Sequence, residues 1–290
     1  TGGMMARLQQ VILAVLLTGL IFTFGCGNNE EVVEETAQLF KIGDWMLYDL
    51  NRINVDGTET QGTLKVAAVG QELIEGQAYF WLEMREDSAE GVKITKILAR
   101  EKPLYNPDDG FTFWDDVKRI IVQEDTNQPE EVPSQHLRRF IPHFIEGSGA
   151  KRFGNVEDLD PPERSVLPEK TFEVSETTIG ATGIRSVQHF TSSVNLGFLN
   201  LEDTTESSVE YYRSTELPFG GIISVNFVSK TTSVNKLKPD APPKPPQNYS
   251  NSMELKAFGT GAESQIIGTP RDMEVMPFPF LEAARKNADK

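Results

Sequence analysis

The side chains whose types suggest chemistry are few: one sulfur, three imidazoles and some carboxylate pairs. Cys26 is the sole cysteine among 290 residues, so neither an internal disulfide nor a cysteine-rich zinc site forms. The thiol is left as an apolar filler, a nucleophile or an attachment point. His136 and His143 stand either side of Arg139, whose guanidinium disfavours a metal cation. No nearby carboxylate completes a ligand set, so both read as solvated surface groups. His189 falls in an expected strand with no serine or cysteine marked out beside it. Asp108-Asp109-Gly110 and Asp115-Asp116 flank the aromatic run Phe111 to Trp114. That is the start of a calcium loop, but its remaining oxygen ligands are missing. Gly259 to Ser264 (GTGAES) follows a strand like a dinucleotide fingerprint, yet a serine replaces the third glycine and too little chain follows. Gly147 to Gly154 lacks the Gly-Lys-Ser/Thr of a phosphate loop. Paired carboxylates for sugar hydrolysis are assembled in space, and the sequence singles none out. The expectation is no catalytic residue, no metal and no cofactor.

The surroundings of Cys26 decide among its three fates. Met4 to Arg7 is a short positive start, and Val11 to Phe24 (VILAVLLTGLIFTF) is a mostly apolar run of fourteen residues. Gly25-Cys26-Gly27 then closes it with small residues. The run is shorter than the roughly 20 residues of a spanning helix and has the layout of a secretory signal. It resembles a bacterial lipoprotein signal, in which a small residue precedes the cysteine. The resemblance implies a diacylglyceryl thioether on Cys26, cleavage before it, and a second acyl chain on the new amine. Two such chains suffice for stable anchoring. By the enterobacterial sorting rule, Gly27 rather than Asp implies the outer membrane, facing the periplasm.

The formal net charge of −15 argues against duplex nucleic acid, where affinity comes from Lys and Arg on phosphates. It argues equally against electrostatic attraction to anionic headgroups. Thr1-Gly2-Gly3 carries no fold information. The expected organisation is a signal peptide at 1–25, the acylated cysteine and an acidic tether at 26–38, a single β-rich domain at 39–260, and a C-terminal tail at 261–290.

Within the domain, short strand-forming runs alternate with turns. Trp45 to Val55 and Thr60 to Val69 flank Asp56-Gly57, a hairpin dipeptide. Glu75-Gly76 turns the chain into Ala78 to Arg85, and Lys93 to Ala99 follows. Four consecutive strands predict an antiparallel meander, which Phe111 to Trp114 and Lys118 to Gln123 extend. Leu137, Phe140, Ile141 and Phe144 recur at helical spacing and predict an amphipathic helix over 134–145. Ser134 caps it and Pro142 kinks or ends it. Asn155 to Glu169 reads as a polar loop bearing prolines. Strands return at Thr171–Thr178, Ile184–Thr191, Ser207–Arg213, Ile222–Lys230 and Met253–Phe258. Lys238 to Ser250, with Pro242-Pro243-Lys244-Pro245-Pro246, reads as a stiff extended spacer. The fold class is mainly β (α+β): a curved antiparallel sheet or half-open barrel of about 9–11 strands, with the helix packed as a lid.

Aromatic side chains crowd the first strands. Packing of a curved sheet accounts for them; the sharper reading is that one face lines an apolar groove. The candidate groove residues are Trp45, Tyr48, Phe80, Trp81 and Leu82 from the sheet, with Leu137, Phe140, Ile141 and Phe144 from the helix.

Several stretches together resemble a group of uncharacterised bacterial exported lipoproteins with a β-rich domain. They are Gly43-Asp44-Trp45 with Tyr48, Phe80 to Met84, Lys118 to Gln123 with Gln128-Pro129 and Val132-Pro133, Leu217 to Ile222, and Met253-Glu254-Leu255 ending at Gly259. The resemblance implies an architecture similar to the outer-membrane lipoprotein-sorting (Lol-type) carriers and acceptors, half-open barrels lidded by helices. No functional residue comes across with it. The expectation is a lipid-anchored, non-enzymatic envelope protein whose curved sheet binds an apolar ligand or acyl chain. An assembly lipoprotein that binds another envelope protein is the first alternative, and a hydrolase of envelope polymers the second.

Overall fold

The computed structural model describes residues 39–101, 114–137, 155–157, 163–195, 200–237 and 245–274. Cys26, the signal, the tether to residue 38, Asp108 to Gly110, His143, and Phe140, Ile141 and Phe144 lie outside the described residues.

Alternation builds the first half. In β1 (Trp45–Ile53) Met46 and Tyr48 are buried in phase with half-buried Leu50, while Trp45, Leu47 and Asp49 take the opposite phase. β2 (Glu59–Ile74), β3 (Gln77–Ser88), β4 (Gly91–Glu101) and β5 (Trp114–Glu124) follow, each antiparallel to the one before. This is the expected meander. β6 (Glu130–Glu131) and β7 (Asn155–Glu157) are brief. β8 (Glu163–Val174), β9 (Thr177–Asn195), β10 (Asn200–Arg213), β11 (Ile222–Asn235) and β12 (Gln247–Gly259) form a second antiparallel run. β13 (Arg271–Asp272) lies parallel to β6.

The two runs join through β1 and β12, from Trp45 opposite Gly259 to Ile53 opposite Ser250. The result is one open sheet of 13 strands in the order β13-β6-β5-β4-β3-β2-β1-β12-β11-β10-β9-β7, with β8 also on β9. The chain is mainly β, as its alternation predicts.

Two contacts show that the sheet curls. Four gaps of about 4.8 Å separate β3 from β11, about 19 Å on a flat sheet. Yet Phe40 packs on Phe80 of β3 at 5.2 Å and on Phe219, just before β11, at 5.0 Å. Four gaps also separate β8 from β12, and Ser175 Oγ just after β8 donates to the Lys256 carbonyl of β12 at 3.3 Å.

The main core lies on one face, here called inner. Phe80, Leu82, Met84, Val66, Ala68, Met46, Tyr48, Leu255, Met253, Val225 and Val209 carry it across the strands, with Ile97 and Ile120 at one side. Phe40, Leu217 and Phe219 close it at one end. The Glu101 carboxylate accepts the Leu39 amide and fixes Phe40's approach. Phe219, Gly220 and Gly221 are successively left-handed, with φ of 53°, 77° and 71°. A Cβ on Gly221 would stand 1.6 Å from the Ser214 carbonyl oxygen, so only glycine fits. Packing against Phe40 holds Phe219 in a conformation that aromatic residues rarely adopt.

A smaller cluster on the outer face joins Tyr79, Trp81, Leu98 and Ile121 to Ile266. The segment after β12 crosses this face. Ser264 Oγ and the Gln265 amide both donate to the buried Glu83 carboxylate, at 2.7 and 2.9 Å. The Ile267 amide donates to buried Gln123 at 3.0 Å, and Gln123 donates back to the Ile267 carbonyl at 3.1 Å. The stretch expected as a tail is therefore a strap as far as it is described.

Three expectations need correction. The run 171–178 is not one strand: it turns at Ser175-Glu176, whose φ values of 49° and 66° make a tight hairpin between β8 and β9. The expected loop 155–169 contains β7 and the start of β8, an exposed strand without an apolar phase to mark it. The helix packed as a lid does not appear among the described elements. One helical turn, 134–137, is described, and its Leu137 is buried in the main core. The described cover of the inner face is Phe40 with Leu217 and Phe219, because two aromatic rings and a glycine-rich turn already fill that end.

Candidate functional site

The register shows which inward positions are polar. Toward one rim of the inner face, the phase that carries Met46, Tyr48 and Leu50 on β1 continues to Arg52, and that of Phe80, Leu82 and Met84 on β3 to Glu86. Lys93 lies opposite Glu86 on β4, and Asn251 opposite Arg52 on β12. Farther along, Tyr249, Ser229, Ser207 and Gln188 stand in one cross-strand row over β12, β11, β10 and β9. Apolar surface thus gives way to polar groups on one continuous face.

Arg52 with Glu86 and Asn251 with Tyr249 form two linked pairs. Arg52 Nη2 lies 3.6 Å from Glu86 Oε1, an ion pair whose side chains are 12% and 22% exposed. The pair spans β2 above Gly62, since Arg52 faces Thr60, and Glu86 faces Leu64. A Cβ on Gly62 would stand 2.4 Å from the Asp87 carbonyl oxygen of β3, so the close approach of the two strands there requires glycine. Asn251 Nδ2 donates to Tyr249 Oη at 3.3 Å. Burial pushes the Tyr249 phenol up, against the pull of the Arg52 charge, so it stays protonated at neutral pH. Burial lowers Lys93 to about 8, outweighing the attraction of Glu124 and Glu86.

Two neighbouring buried atoms, Arg52 Nε and Asn251 Oδ1, have no hydrogen-bond partner; Ser186 Oγ, also unpaired, lies on β9, four strands from Arg52. Asn251 and Ser186 are each only 2% exposed. A buried polar group left unpaired costs about 1–3 kcal/mol, so each of these atoms is a local cost that the packing around it offsets. Thr205 and Thr231, by contrast, satisfy each other at 3.0 Å.

The sequence-derived groove candidates divide between the faces. Tyr48, Phe80 and Leu82 are buried on the inner face with Leu137. Tyr48 is an anchor: its hydroxyl donates to the Ile222 carbonyl at 3.1 Å, and burial raises its pKa. Trp45 and Trp81 face outward. Trp45 Nε1 donates to the Thr260 carbonyl at 3.1 Å, beneath Lys65. Trp81 donates to Glu72 at 2.8 Å and has both Lys96 and Arg119 over its ring. These tryptophans brace the strap side rather than line the inner face.

Other candidates stay apart. His189 is exposed on β9 and His136 half-buried in the turn 134–137. Asp116 accepts from Tyr79 at 2.5 Å and pairs with Lys118 at 2.8 Å, contacts that lower its pKa. No group of three or more His, Cys, Asp or Glu able to hold a metal occurs among the described residues. Arg52, Glu86, Lys93, Tyr249 and Asn251 carry no motif spacing. Their one signal is phase, a polar residue where the strand's alternation calls for an apolar one.

No protein-family model and no curated protein matches the chain. Two solved structures align along most of it. One, from Bacteroides fragilis, is described as a supposed exported protein with a YmcC-like fold. It is 10% identical, with 77% of this chain and 98% of that one covered, at a TM-score of 0.30. The other, a supposed lipoprotein from Parabacteroides distasonis, is 7% identical over 78% of this chain and 100% of its own, again at 0.30. Likeness at that level transfers neither a site nor an activity.

Proposed function

We propose that this chain is a lipid-anchored protein of the bacterial cell envelope, held through acyl chains on Cys26, probing the periplasm from the outer membrane. In this reading it binds an apolar ligand or acyl chain along the inner face of its sheet and catalyses no reaction. The observation that carries the reading is the passage of one face from a continuous apolar wall (Met84, Val66, Met46, Leu255, Met253) to a polar rim (Arg52, Glu86, Lys93, Asn251). An amphiphile matches that profile, as a wholly polar or wholly apolar ligand does not. The signal ending at Gly25-Cys26 supports the address.

The test has two arms. Cells fed an alkyne-tagged fatty acid should label the protein, and Cys26→Ala should abolish labelling and release it from membranes. An unlabelled, soluble wild-type protein overturns the address. Native mass spectrometry after mild extraction should reveal a co-purifying lipid-sized mass. A bare protein that crosslinks to one envelope partner instead favours the assembly role.

A further inference from the structure

The outer face carries a second constellation, built around the strap. From Gly261 to Ile267 the strap belongs to no strand and crosses β3, β4 and β5 instead of pairing with them. Its seat consists of side chains that read a backbone. Glu83 and Gln123 are each 3% exposed, at outward positions where burial calls for apolar residues. Both oxygens of Glu83 accept from the strap, Oε1 from the Gln265 amide and Oε2 from the Ser264 hydroxyl. Gln123 accepts the Ile267 amide and donates back to the carbonyl of the same residue.

Two strap side chains at alternate positions are read as well. Ser264 sits between Glu83 and Lys96, whose Nζ donates to its hydroxyl at 2.9 Å. Ile266 packs on the cluster of Tyr79, Trp81, Leu98 and Ile121. Main-chain hydrogen bonds joined to pockets for every second side chain are the pattern by which folded proteins take up extended peptides. The grip is also local. Ser264, Gly268 and Thr269 are exposed, Ile267 is 76% exposed, and Ile266 is only half-buried. A segment with so little buried apolar surface opens at a lower free energy than the sheet beneath it.

We propose that this track is a docking site for an extended peptide of another protein, with the strap as its resident competitor. The partner segment carries a hydroxyl residue two places before a branched apolar one, as Ser264 and Ile266 do. Its next residue offers a free amide and carbonyl to Gln123. The strap is a seated example of that ligand, so binding in trans requires no new pocket, only that the strap lift. The track lies on the opposite face from the apolar wall and is independent of inner-face binding.

The test is fluorescence anisotropy of a labelled peptide of residues 261–270 with the full chain. Ile266→Asp in the full chain loosens the resident strap. This variant should bind the peptide about tenfold or more tightly than the unmodified protein does, because a closed strap lowers the apparent affinity. Alanine for the peptide's serine, or Glu83→Gln added to the variant, should each weaken binding about tenfold, the worth of a charge-assisted bond. Should Ile266→Asp fail to fold by circular dichroism, Ser264→Ala loosens the strap at an exposed position instead. Absence of binding to the loosened chain overturns the proposal. So does binding that ignores both the serine and Glu83, or equal affinity for loosened and unmodified protein. A dimer of the full chain that the peptide disperses makes a second copy the occupant and overturns the partner assignment.

Discussion

Phe40 offers the sharpest test of how the inner face is closed. Its ring is 2% exposed and wedged between Phe80 at 5.2 Å and Phe219 at 5.0 Å, partners from opposite meanders. A buried phenylalanine removes about 150–250 Å² from water, worth about 4–6 kcal/mol at about 25 cal/mol per Å² as an upper figure. Truncation of such residues costs about 3–5 kcal/mol in practice. Phe40→Ala should therefore lower the unfolding free energy by about 3–5 kcal/mol, read from urea titrations at an unchanged m-value. Phe219→Ala should cost less once Phe40 is gone, with a coupling of about 0.5–1.5 kcal/mol for the lost ring pair. A loss below about 1 kcal/mol, within the range of surface changes, would refute the claim that this ring bridges the two halves. So would strict additivity of the two truncations.

Four further outcomes follow from the geometry. Gly221→Ala drives a Cβ into the Ser214 carbonyl at positive φ and should cost about 3 kcal/mol or more, measured by thermal melt; a neutral result would sink the account of that turn. Glu83→Ala removes the acceptor of both Ser264 and Gln265; it should speed amide exchange at 262–267, and unchanged protection would show that the strap is held otherwise. Lys93 near 8 lies below the 10.5 of a free lysine, so between those pH values the unfolded chain binds the extra proton and stability rises with pH. Urea midpoints of wild type relative to Lys93→Met should climb from pH 8 to pH 10; parallel curves would refute the buried cation. Glu176→Gly relieves a left-handed non-glycine residue and should stabilise by about 0.5–1 kcal/mol, a gain that a lower melting temperature would contradict.

How much was legible in the sequence depended on alternation. β1 and β2 were readable from apolar residues at alternate positions, β3 and β4 from short runs rich in aromatic and β-branched residues, with Glu75-Gly76 as a hairpin pair. The β8–β9 hairpin was not, since Ser175-Glu176 has neither Gly nor Asn, and the exposed start of β8 offers no phase at all. The Pro-rich spacer hides the first residues of β12, which begins at Gln247. Of the inner-face residues, the large apolar ones were picked out by type, which grouped Trp45 and Trp81 with Tyr48 and Phe80 although strand parity sends them to opposite faces. Arg52, Lys93 and Asn251 were invisible to motif reasoning because β-sheet sites draw one residue from each strand. Only the ladder, fixed by long-range pairing, brings them side by side.

The pairing of β1 with β12 has a consequence for how this chain comes to exist. The earliest strand made is completed by almost the last, so the opening meander waits with its inner rail of backbone amides and carbonyls bare. A fragment stopped before Gln247 would carry Trp45, Leu47 and that open rail into solution, where self-association is the default. Among the described residues, one border ends in the two-residue β6 and β13, and the other in the three-residue β7 with β8, which is broken by a bulge beside Pro168 and studded with charge. A central ladder between strands so far apart in the chain is slow to form, and short or bulged borders among the described strands limit edge-to-edge addition.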